Sequence, residues 1–455
     1  MKNSKIHKFA KDGGYFIIDP PSGSAHISDK LAFDMLGELE PPLPENTPER
    51  VYGIFGGFSV SEIDECYGEL YGLYKGGALF SGDGDCRRYA EAVSAAPLKA
   101  LCLHVSHDCN LRCGYCFAGT GGYGGERTLM SPETAAESID FLVRNSGERT
   151  LLEADFFGGE PLMAWETVTA AVDYARSREE EWGKRFKFTI TTNGLLLDDE
   201  KIDYINREMC NCVLSLDGRE ETNDRIRKTL SGGGSYGAVT PKFQKLVKNR
   251  NKPGFTDYYV RGTFTAYNLD FSEDATEMAR LGFRNISIEP VTAPDDRPYA
   301  IKREHIPRVF EEYDRLYSII KNGERDINFF HFNVDLKGGP CVIRRLRGCG
   351  CGGEYAAVTP EGELYPCHRF IGAKEWRSGN VSRNGLSREK RDYFAKTHIY
   401  SKTGCADCWA RFYCSGGCNA LSYERYGDAR ATDGESVECR LMKKRLECAI
   451  ALNAV

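Results

Sequence analysis

The sequence lacks a long apolar run and an excess of basic residues. No stretch approaches the roughly 20 apolar residues that a membrane-spanning helix needs, and the opening MKNSKIHKFAKDGGYF has no apolar core or cleavage site of a secretory signal. The 60 Lys and Arg residues against 66 Asp and Glu give a net charge of −6, which offers no general attraction for nucleic acid or an acidic membrane. We therefore expect a cytoplasmic protein without a nucleic-acid or membrane partner.

Cysteine is scarce in the middle of the chain and abundant on both sides of it. Of the 18 cysteines, Cys109, Cys113 and Cys116 form one tight group, nine lie within 341–439, and only two lie in between. Disulfide frameworks belong mostly to small secreted chains, because the cytosol keeps thiols reduced. The pattern therefore favours metal ligation.

The 455 residues exceed what one hydrophobic core usually organises, so two or three units are expected. Short β runs before residue 28 precede a predicted helix from Asp29 through Leu39, and a Pro-rich break at 41–48 precedes predicted helices Ser61–Lys75 and Asp85–Ser94. This pattern predicts a small N-terminal module of strands and helices. The alternative is a simple extension of the unit that follows.

From about residue 98 the pattern alternates between strand and helix. The predicted strands are Leu101–Val105, Glu153–Phe157, Phe186–Thr191, Val213–Leu216, Tyr258–Thr265 and Asn285–Glu289. The predicted helices are Pro132–Asn145, Trp165–Trp182, Asp198–Met209 and Ser272–Leu281. Six such β/α units predict an α/β fold with a parallel sheet, curved or partly closed as a barrel.

Four motifs follow four successive predicted strands. HDCNLRCGYCF follows the first strand, GGEP the second, TTNG the third and SLDG the fourth. Active sites on such sheets gather at the C-terminal ends of the strands. The motifs therefore predict one site at that edge, although GGEP alone is also typical of an ordinary turn.

The spacing C-x3-C-x2-C suits an iron–sulfur cubane. Three thiolates bind three irons and leave the fourth iron without a protein ligand. Zinc is the alternative, but structural zinc needs four ligands, and near this group only His107 offers a further one.

This spacing, with the aromatic Tyr115 before the last cysteine, resembles the signature of the radical S-adenosylmethionine (SAM) superfamily. The resemblance implies a [4Fe-4S] cluster on Cys109, Cys113 and Cys116 whose open iron chelates SAM. It also implies SAM contacts from Gly158, Gly159, Glu160, Pro161, Thr192, Asn193, Ser215, Asp217 and Arg225. The last five of these are equally typical of strand-end caps or helix ion pairs.

The C-terminal cysteines resemble the SPASM domain, which carries two auxiliary clusters in radical SAM enzymes that modify peptides. The resemblance implies one [4Fe-4S] cluster on Cys405, Cys408, Cys414 and Cys439, and a second on Cys349, Cys367 and Cys418. The fourth ligand of the second cluster stays open between Cys341, Cys351 and a cysteine thiolate of the substrate.

Five further stretches are distinctive: HDCNLRCGYCFA, PCVIRRLRGCG, EYAAVTPEGELYPCHRFIG, GCADCWARFYCSGGC and MKKRLECAI. Together they resemble maturases of six-cysteine (SCIFF) peptides and the related thioether-forming ranthipeptide enzymes, and the likeness covers most of the chain from about residue 98 onward. The resemblance implies sulfur-to-carbon thioether crosslinks in a ribosomally made Cys-rich precursor peptide, formed through a 5′-deoxyadenosyl radical. The implied cofactors are SAM and three [4Fe-4S] clusters, with flavodoxin or ferredoxin as electron donor. The alternatives are formylglycine formation, epimerisation, carbon–carbon crosslinking, or a non-catalytic zinc or peptide-binding scaffold.

His368 is the catalytic candidate. It stands after Cys367, where sulfatase maturases carry an Asp thought to accept the substrate proton. A structural role beside the neighbouring cluster is the alternative.

The resemblance implies three units. Residues 1–95 would be a winged-helix-like element that binds the leader of the precursor as an added strand. Residues 96–325 would be a partial (β/α)6 TIM-like barrel, and residues 326–455 the SPASM domain.

Overall fold

The computed structural model describes residues 6–92, 96–251, 257–336, 345–383 and 385–454. The N-terminal part is an antiparallel sheet in the order β1-β2-β3, followed by four helices. The strands are β1 (His7–Lys11), β2 (Gly14–Asp19) and β3 (Ser24–Ser28), and the helices are α1 (Lys30–Gly37), α2 (Glu49–Ile54), α3 (Val60–Lys75) and α4 (Gly84–Ala92). Positions 93 and 94 of the last predicted helix lie outside the described residues.

Local capping explains where the first helices begin. The Asp29 side chain accepts a hydrogen bond from the Ala32 amide at 2.8 Å, and Ser59 forms a capping box with Glu62 at the start of α3. Met35 of α1 and Tyr67 of α3 are buried in one core. The predicted N-cap at Asp29 is confirmed.

A ten-stranded sheet forms the main body, in the order β12-β11-β10-β8-β7-β6-β4-β13-β14-β15. Its strands are β4 (Ala100–Ser106), β6 (Leu151–Gly158), β7 (Arg185–Thr192), β8 (Met209–Ser215), β10 (Asp257–Phe264), β11 (Asn285–Pro290), β12 (Asn328–Phe329), β13 (Tyr355–Val358), β14 (Glu363–Tyr365) and β15 (Gly379–Asn380). In this order, every pair of neighbouring strands between β12 at one edge and β13 is parallel. The α/β class with a parallel sheet is confirmed, and within the described residues the sheet is not closed into a barrel.

Helices connect the parallel strands. They are α5 (Pro132–Asn145), α6 (Trp165–Trp182), α7 (Asp199–Glu208), α8 (Glu220–Ile226), α9 (Tyr236–Arg250), α10 (Phe271–Arg280) and α11 (Ile306–Lys321). A separate antiparallel pair joins β5 (Leu111–Cys113) to β9 (Arg227–Thr229). Within the described residues, no helix has the length and apolar composition to cross a membrane.

The C-terminal part shares the main sheet and core. Its helices are α12 (Arg388–Ala395), α13 (Arg411–Cys414), α14 (Asn419–Tyr426) and α15 (Val437–Asn453). Tyr355 of β13 pairs with Ala100 of β4, and Ile450 of α15 is buried in the main core. Phe9 of β1 belongs to the same core, so the three predicted units are packed together, and their boundaries stay a prediction.

Candidate functional site

The first cysteine group lies on the loop that leaves β4. The pair β5/β9 anchors this loop, because Cys113 stands opposite Arg227 in the antiparallel register. A cavity of about 160 Å³ opens beside it. The predicted site residues that line this cavity are Cys109, Cys113, Cys116, Gly158, Gly159, Glu160, Thr192, Asn193 and Ser215.

The GGE turn fits tightly against the cysteine loop. The Gly159 amide donates to the Ser106 carbonyl at 2.7 Å, and the Glu160 amide donates to the Asp108 carbonyl at 2.9 Å. A methyl group at Gly159 would lie far inside contact distance of the Asp108 carbonyl oxygen. Glycine is therefore required here for close backbone approach.

Glu160 organises the next strand end. Its buried carboxylate accepts hydrogen bonds from the Thr192 hydroxyl at 2.7 Å and from the Asn193 amide at 2.8 Å. Burial raises the pKa of Glu160, and these donors oppose the rise. The carboxylate thus fixes the TTNG turn against the GGEP turn, and Pro161 begins a short 3₁₀ turn behind the cavity.

The Cys109 sulfur receives two hydrogen bonds. The Leu111 amide lies 3.4 Å from it and the Asn193 side-chain amide 3.6 Å from it. Burial raises the pKa of the Cys109 thiol to about 12, and Cys113 and Cys116 add to the rise. Such thiols become ligands only when a bound cation stabilises the thiolates, so the group suits a metal centre.

Hydrogen bonds join Tyr115 and Arg227, which line the cavity, to the buried Asp217. Tyr115 donates to the Asp217 carboxylate at 2.7 Å, and Arg227 donates to the Tyr115 hydroxyl at 2.9 Å. Asp217 also accepts from the Thr263 amide at 3.0 Å. Asp217 therefore lies behind Tyr115 and does not line the cavity.

The structure does not bring Arg225 to the cavity. Its side chain is exposed and lies over the Tyr267 ring at 4.0 Å, whereas Arg227 lines the cavity. One helical residue separates the two arginines, and β9 begins at Arg227. Sequence reasoning missed Arg227 because a three-residue strand leaves no periodic signal.

A second cavity, of about 210 Å³, contains the C-terminal cysteines Cys405, Cys408, Cys414, Cys418 and Cys439 in its wall. Arg411 lines it as well and donates to the Cys408 carbonyl at 2.9 Å. Burial raises the pKa of Cys414 to about 11, with Cys439 the next cause. Within the described chain no three His, Cys, Asp or Glu side chains converge as they would around one bare metal ion; a cubane spreads its ligands over several iron atoms.

Cys351 lies with Cys367. Both are buried in one small core, and the Gly352 amide donates to the Pro366 carbonyl at 3.0 Å. A hydrogen bond from Cys351 lowers the pKa of Cys367. Cys349 and Cys418 are exposed and lie close enough to raise the pKa of Cys351 further. Cys341 lies outside the described residues.

His368 faces the first cavity through two aromatic rings. Its imidazole lies 5.1 Å from the Phe157 ring and 5.8 Å from the Phe117 ring, centroid to centroid, and both rings line that cavity. Burial, followed by the charges of Arg369 and Arg261, lowers the pKa of His368 to about 3. The imidazole is therefore neutral near pH 7.

Residues 103–260 match the model of the radical SAM superfamily. The chain contains a radical SAM domain. This domain extends from β4 to β10 and includes the first cavity. The C-terminal cysteines that line the second cavity lie beyond its end.

Three known proteins resemble the chain over most of its length. The radical SAM cyclopropyl synthase TigE of Paramaledivibacter caminithermalis is 23% identical, over 87% of this chain and 85% of that protein. The structure of native anSMEcpe with bound AdoMet superimposes with a TM-score of 0.65 at 20% identity, over 78% of this chain and 98% of that one. The structure of Streptococcus suis SuiB bound to precursor peptide SuiA superimposes with a TM-score of 0.53 at 16% identity, over 96% of this chain and 98% of that one. The two structures show that the radical SAM domain and its flanking parts share a fold with these proteins.

Proposed function

We propose that this chain is a radical SAM maturase that forms sulfur-to-carbon thioether crosslinks in a ribosomally made Cys-rich precursor peptide. The observation that carries the proposal is a contact between the loop that holds Cys109, Cys113 and Cys116 and the segment that holds Cys367. Phe117, next to Cys116, contacts His368, next to Cys367. A substrate bound beside this contact would meet the site of radical formation on one side and auxiliary iron on the other.

The bound groups supply the reductive cleavage of SAM and the redox chemistry of the clusters, and the chain supplies binding and orientation. Cys109, Cys113 and Cys116 would hold the first cluster. Gly158, Gly159, Glu160, Thr192, Asn193 and Ser215 would surround SAM. We place Arg227, rather than the exposed Arg225, at the SAM carboxylate, because a guanidinium pairs well with a carboxylate.

We propose two auxiliary [4Fe-4S] clusters. Cys405, Cys408, Cys414 and Cys439 would hold one cluster. The other would be held by Cys349, Cys367, Cys418 and Cys351, because Cys351 is buried beside Cys367. Cys351 thereby becomes our candidate for the fourth ligand.

We assign His368 the role of accepting a proton from the substrate. The support is its position behind the two rings that line the first cavity. Its lowered pKa makes the imidazole a weak base, so the proton would have to be passed on rather than kept. Its nearest polar contact is the Tyr355 hydroxyl at 3.4 Å, which would orient the ring.

The N-terminal module would bind the leader of the precursor. The outer edge of β3 has no partner strand among the described residues, and a groove of about 520 Å³ lies between β3 and α3. Glu62, Glu65 and Glu69 line this groove together with the exposed Ile27 and Phe58. An extended leader with basic and apolar side chains would fit it by strand addition. The electron donor would be a flavodoxin or ferredoxin.

Carbon–carbon bond formation is the second candidate. It is favoured by the likeness to a cyclopropyl synthase over 87% of this chain. Both reactions remove two hydrogens from the peptide, but only the thioether consumes a cysteine thiol.

The test is anaerobic incubation with SAM, a reductant and the Cys-rich peptide encoded beside this gene. We expect about 12 irons per chain, release of 5′-deoxyadenosine, a loss of two hydrogens for each bridge, and one fewer alkylatable thiol for each bridge. Unchanged thiol number with the same mass loss would favour the carbon–carbon product. A colourless protein that contains only zinc would refute both.

A further inference from the structure

Arg261 of β10 lies between the strands that reach the two cavities. Tyr258 and Val260 of β10 are fully buried on one face of the sheet, so Tyr259 and Arg261 point to the other face. Arg261 is exposed. Within the described parts of the chain its guanidinium has no hydrogen-bond or ion-pair partner.

The strands on both sides of Arg261 reach the two cavities. Its neighbour on β8 is Ser215, which lines the first cavity. Its neighbour on β11 is Ser287, two residues before Glu289, which lines the second cavity. Adjacent strands lie about 4.8 Å apart. Arg261 is therefore one strand away from β8, which reaches the first cavity, and one strand away from β11, which reaches the second.

Glu289, a carboxylate whose pKa the charge of Arg261 helps to lower, already has partners. Glu289 pairs with Arg445 at 3.3 Å and with His331 at 3.3 Å, and Ser287 forms a hydrogen bond with the same imidazole at 3.0 Å. Burial lowers the pKa of His331 to about 3, so it carries no charge near pH 7. Arg445 and Arg261 both lower the pKa of the Glu289 carboxylate. The charges of these two arginines exceed the single negative charge of Glu289, which leaves a net positive site.

We propose that Arg261 binds a carboxylate of the peptide substrate, the side chain of an Asp or Glu in the segment that is modified. A guanidinium binds a carboxylate through two parallel hydrogen bonds, which fixes orientation as well as position. The peptide carbon next to that carboxylate is thereby held at the mouth of the first cavity. This inference rests on the proposed function, because it takes the substrate to be a peptide.

The opposing interpretation is that Arg261 is a solvated surface residue. The two interpretations differ in charge selectivity. A solvated arginine gives no preference for an acidic peptide position, whereas a binding arginine makes one acidic position necessary.

The experiment compares the holoenzyme with the Arg261→Gln, Arg261→Glu and Arg284→Gln variants. Arg284 is the matched control: it is exposed, pairs with Asp326 at 3.2 Å, and precedes β11 at the opposite end of the strand. The probe is the core segment, without its leader, of the peptide encoded beside the gene. A set of variant peptides replaces each Asp by Asn or each Glu by Gln, one position at a time. Affinity is measured by fluorescence anisotropy without SAM or reductant.

We expect Arg261→Gln to weaken binding of the core roughly tenfold, with Arg284→Gln unchanged. One peptide in which a single Asp or Glu has become Asn or Gln should bind the parent enzyme with the same roughly tenfold weaker affinity. The affinity of that peptide should not fall further with Arg261→Gln. A peptide with Lys at that acidic position should bind the Arg261→Glu enzyme, because the two charges are then exchanged. SAM cleavage without peptide should not change in any variant.

Equal affinity of the parent and Arg261→Gln for the core, a core without acidic residues, or a core that binds neither enzyme would overturn the inference. Loss of peptide-free SAM cleavage in Arg261→Gln would also overturn it, because the residue would then serve the SAM site. The binding readout does not depend on which bond forms. A carbon–carbon product with intact Arg261 selectivity would therefore refute the thioether proposal and leave this inference standing.

Discussion

At the scale of single residues, buried cysteines divide into two kinds. Cys351 is buried beside Cys367 within a small core next to two exposed cysteines, whereas Cys66 is buried alone among the apolar residues of the N-terminal helices. The sequence left Cys341, Cys351 and a substrate thiolate as alternatives, because a Cys-Gly-Cys spacing does not tell which thiol turns inward.

We predict that Cys351→Ala lowers the iron content from about 12 to about 8 per chain. The physical reason is the loss of one thiolate from a cubane ligand set. Iron analysis and the visible absorbance of the anaerobic protein measure the change. Cys66→Ala is the control and should keep all the iron; equal iron in both variants would contradict the assignment of Cys351.

His331 makes stability depend on pH. Its pKa is lowered to about 3 in the folded chain, mainly by burial, and is about 6.5 when unfolded. The unfolded chain binds the proton first, so the stabilising effect of the neutral ring is complete above pH 6.5 and is lost as the pH falls from there toward 3.

We therefore predict that acidification from pH 7 to 5 lowers the free energy of unfolding by about 2 kcal/mol through this residue alone. His331→Asn should remove that part of the pH dependence. Urea unfolding of both proteins at the two pH values gives the comparison. A parallel decline in parent and variant would show that other groups are responsible.

At the scale of elements, the sequence predicted long periodic segments well and short ones poorly. Helices Pro132–Asn145 and Trp165–Trp182 begin and end at the predicted residues, because each has an apolar stripe of several turns. The pair β5/β9 was not predicted, since three residues give no alternation. Helix α9 was missed because it follows a Gly-rich loop and contains Pro241.

The candidate site was predictable where motifs follow strand ends. The parallel register brings GGEP, TTNG and Ser215 to the edge that carries the cysteine loop. Arg227 and the C-terminal packing were not predictable, because both depend on contacts between segments far apart in sequence.

The GGEP turn gives a test at this scale. We predict that Gly159→Ala displaces the Cys109 loop, because the added methyl group meets the Asp108 carbonyl oxygen. If the proposed clusters are present, about four of the irons should then be lost while the two auxiliary clusters remain. Gly114→Ala is the matched control in the same loop, because a methyl group there meets only Ile226, at 3.8 Å.

Iron analysis and electron paramagnetic resonance of the reduced proteins distinguish the two variants. A full iron content in Gly159→Ala would mean that the turn can move away from the loop without loss of the cluster.

At the scale of the whole molecule, the N-terminal module packs against the C-terminal cysteine loop. Asp83, just before α4, pairs with Arg411 at 3.1 Å, and both side chains are buried. Tyr400 donates to the same carboxylate at 3.1 Å. On β1, the His7 ring stacks on Trp409 at 3.8 Å. Trp409 and Arg411 lie between Cys408 and Cys414, so the module holds this loop from two sides.

We predict that Asp83→Asn destabilises the protein by roughly 3–5 kcal/mol, since it leaves the buried Arg411 charge without its carboxylate. Asp85→Asn, two residues away in an exposed pair with Arg88, should change little. Thermal unfolding of the anaerobic proteins measures the difference. Equal melting temperatures for the two variants would show that Asp83 does not hold the module in place.

This packing also has a consequence for biosynthesis. Asp83 and Arg411 are 328 residues apart. At roughly 5–20 residues per second the ribosome needs on the order of 16 to 66 s to travel between them. Throughout that interval the module has already been synthesised but its partner loop does not yet exist. The contacts that enclose Cys408 and Cys414 therefore form only late in translation. Under the proposed function, the iron for that site would be delivered to a nearly finished chain.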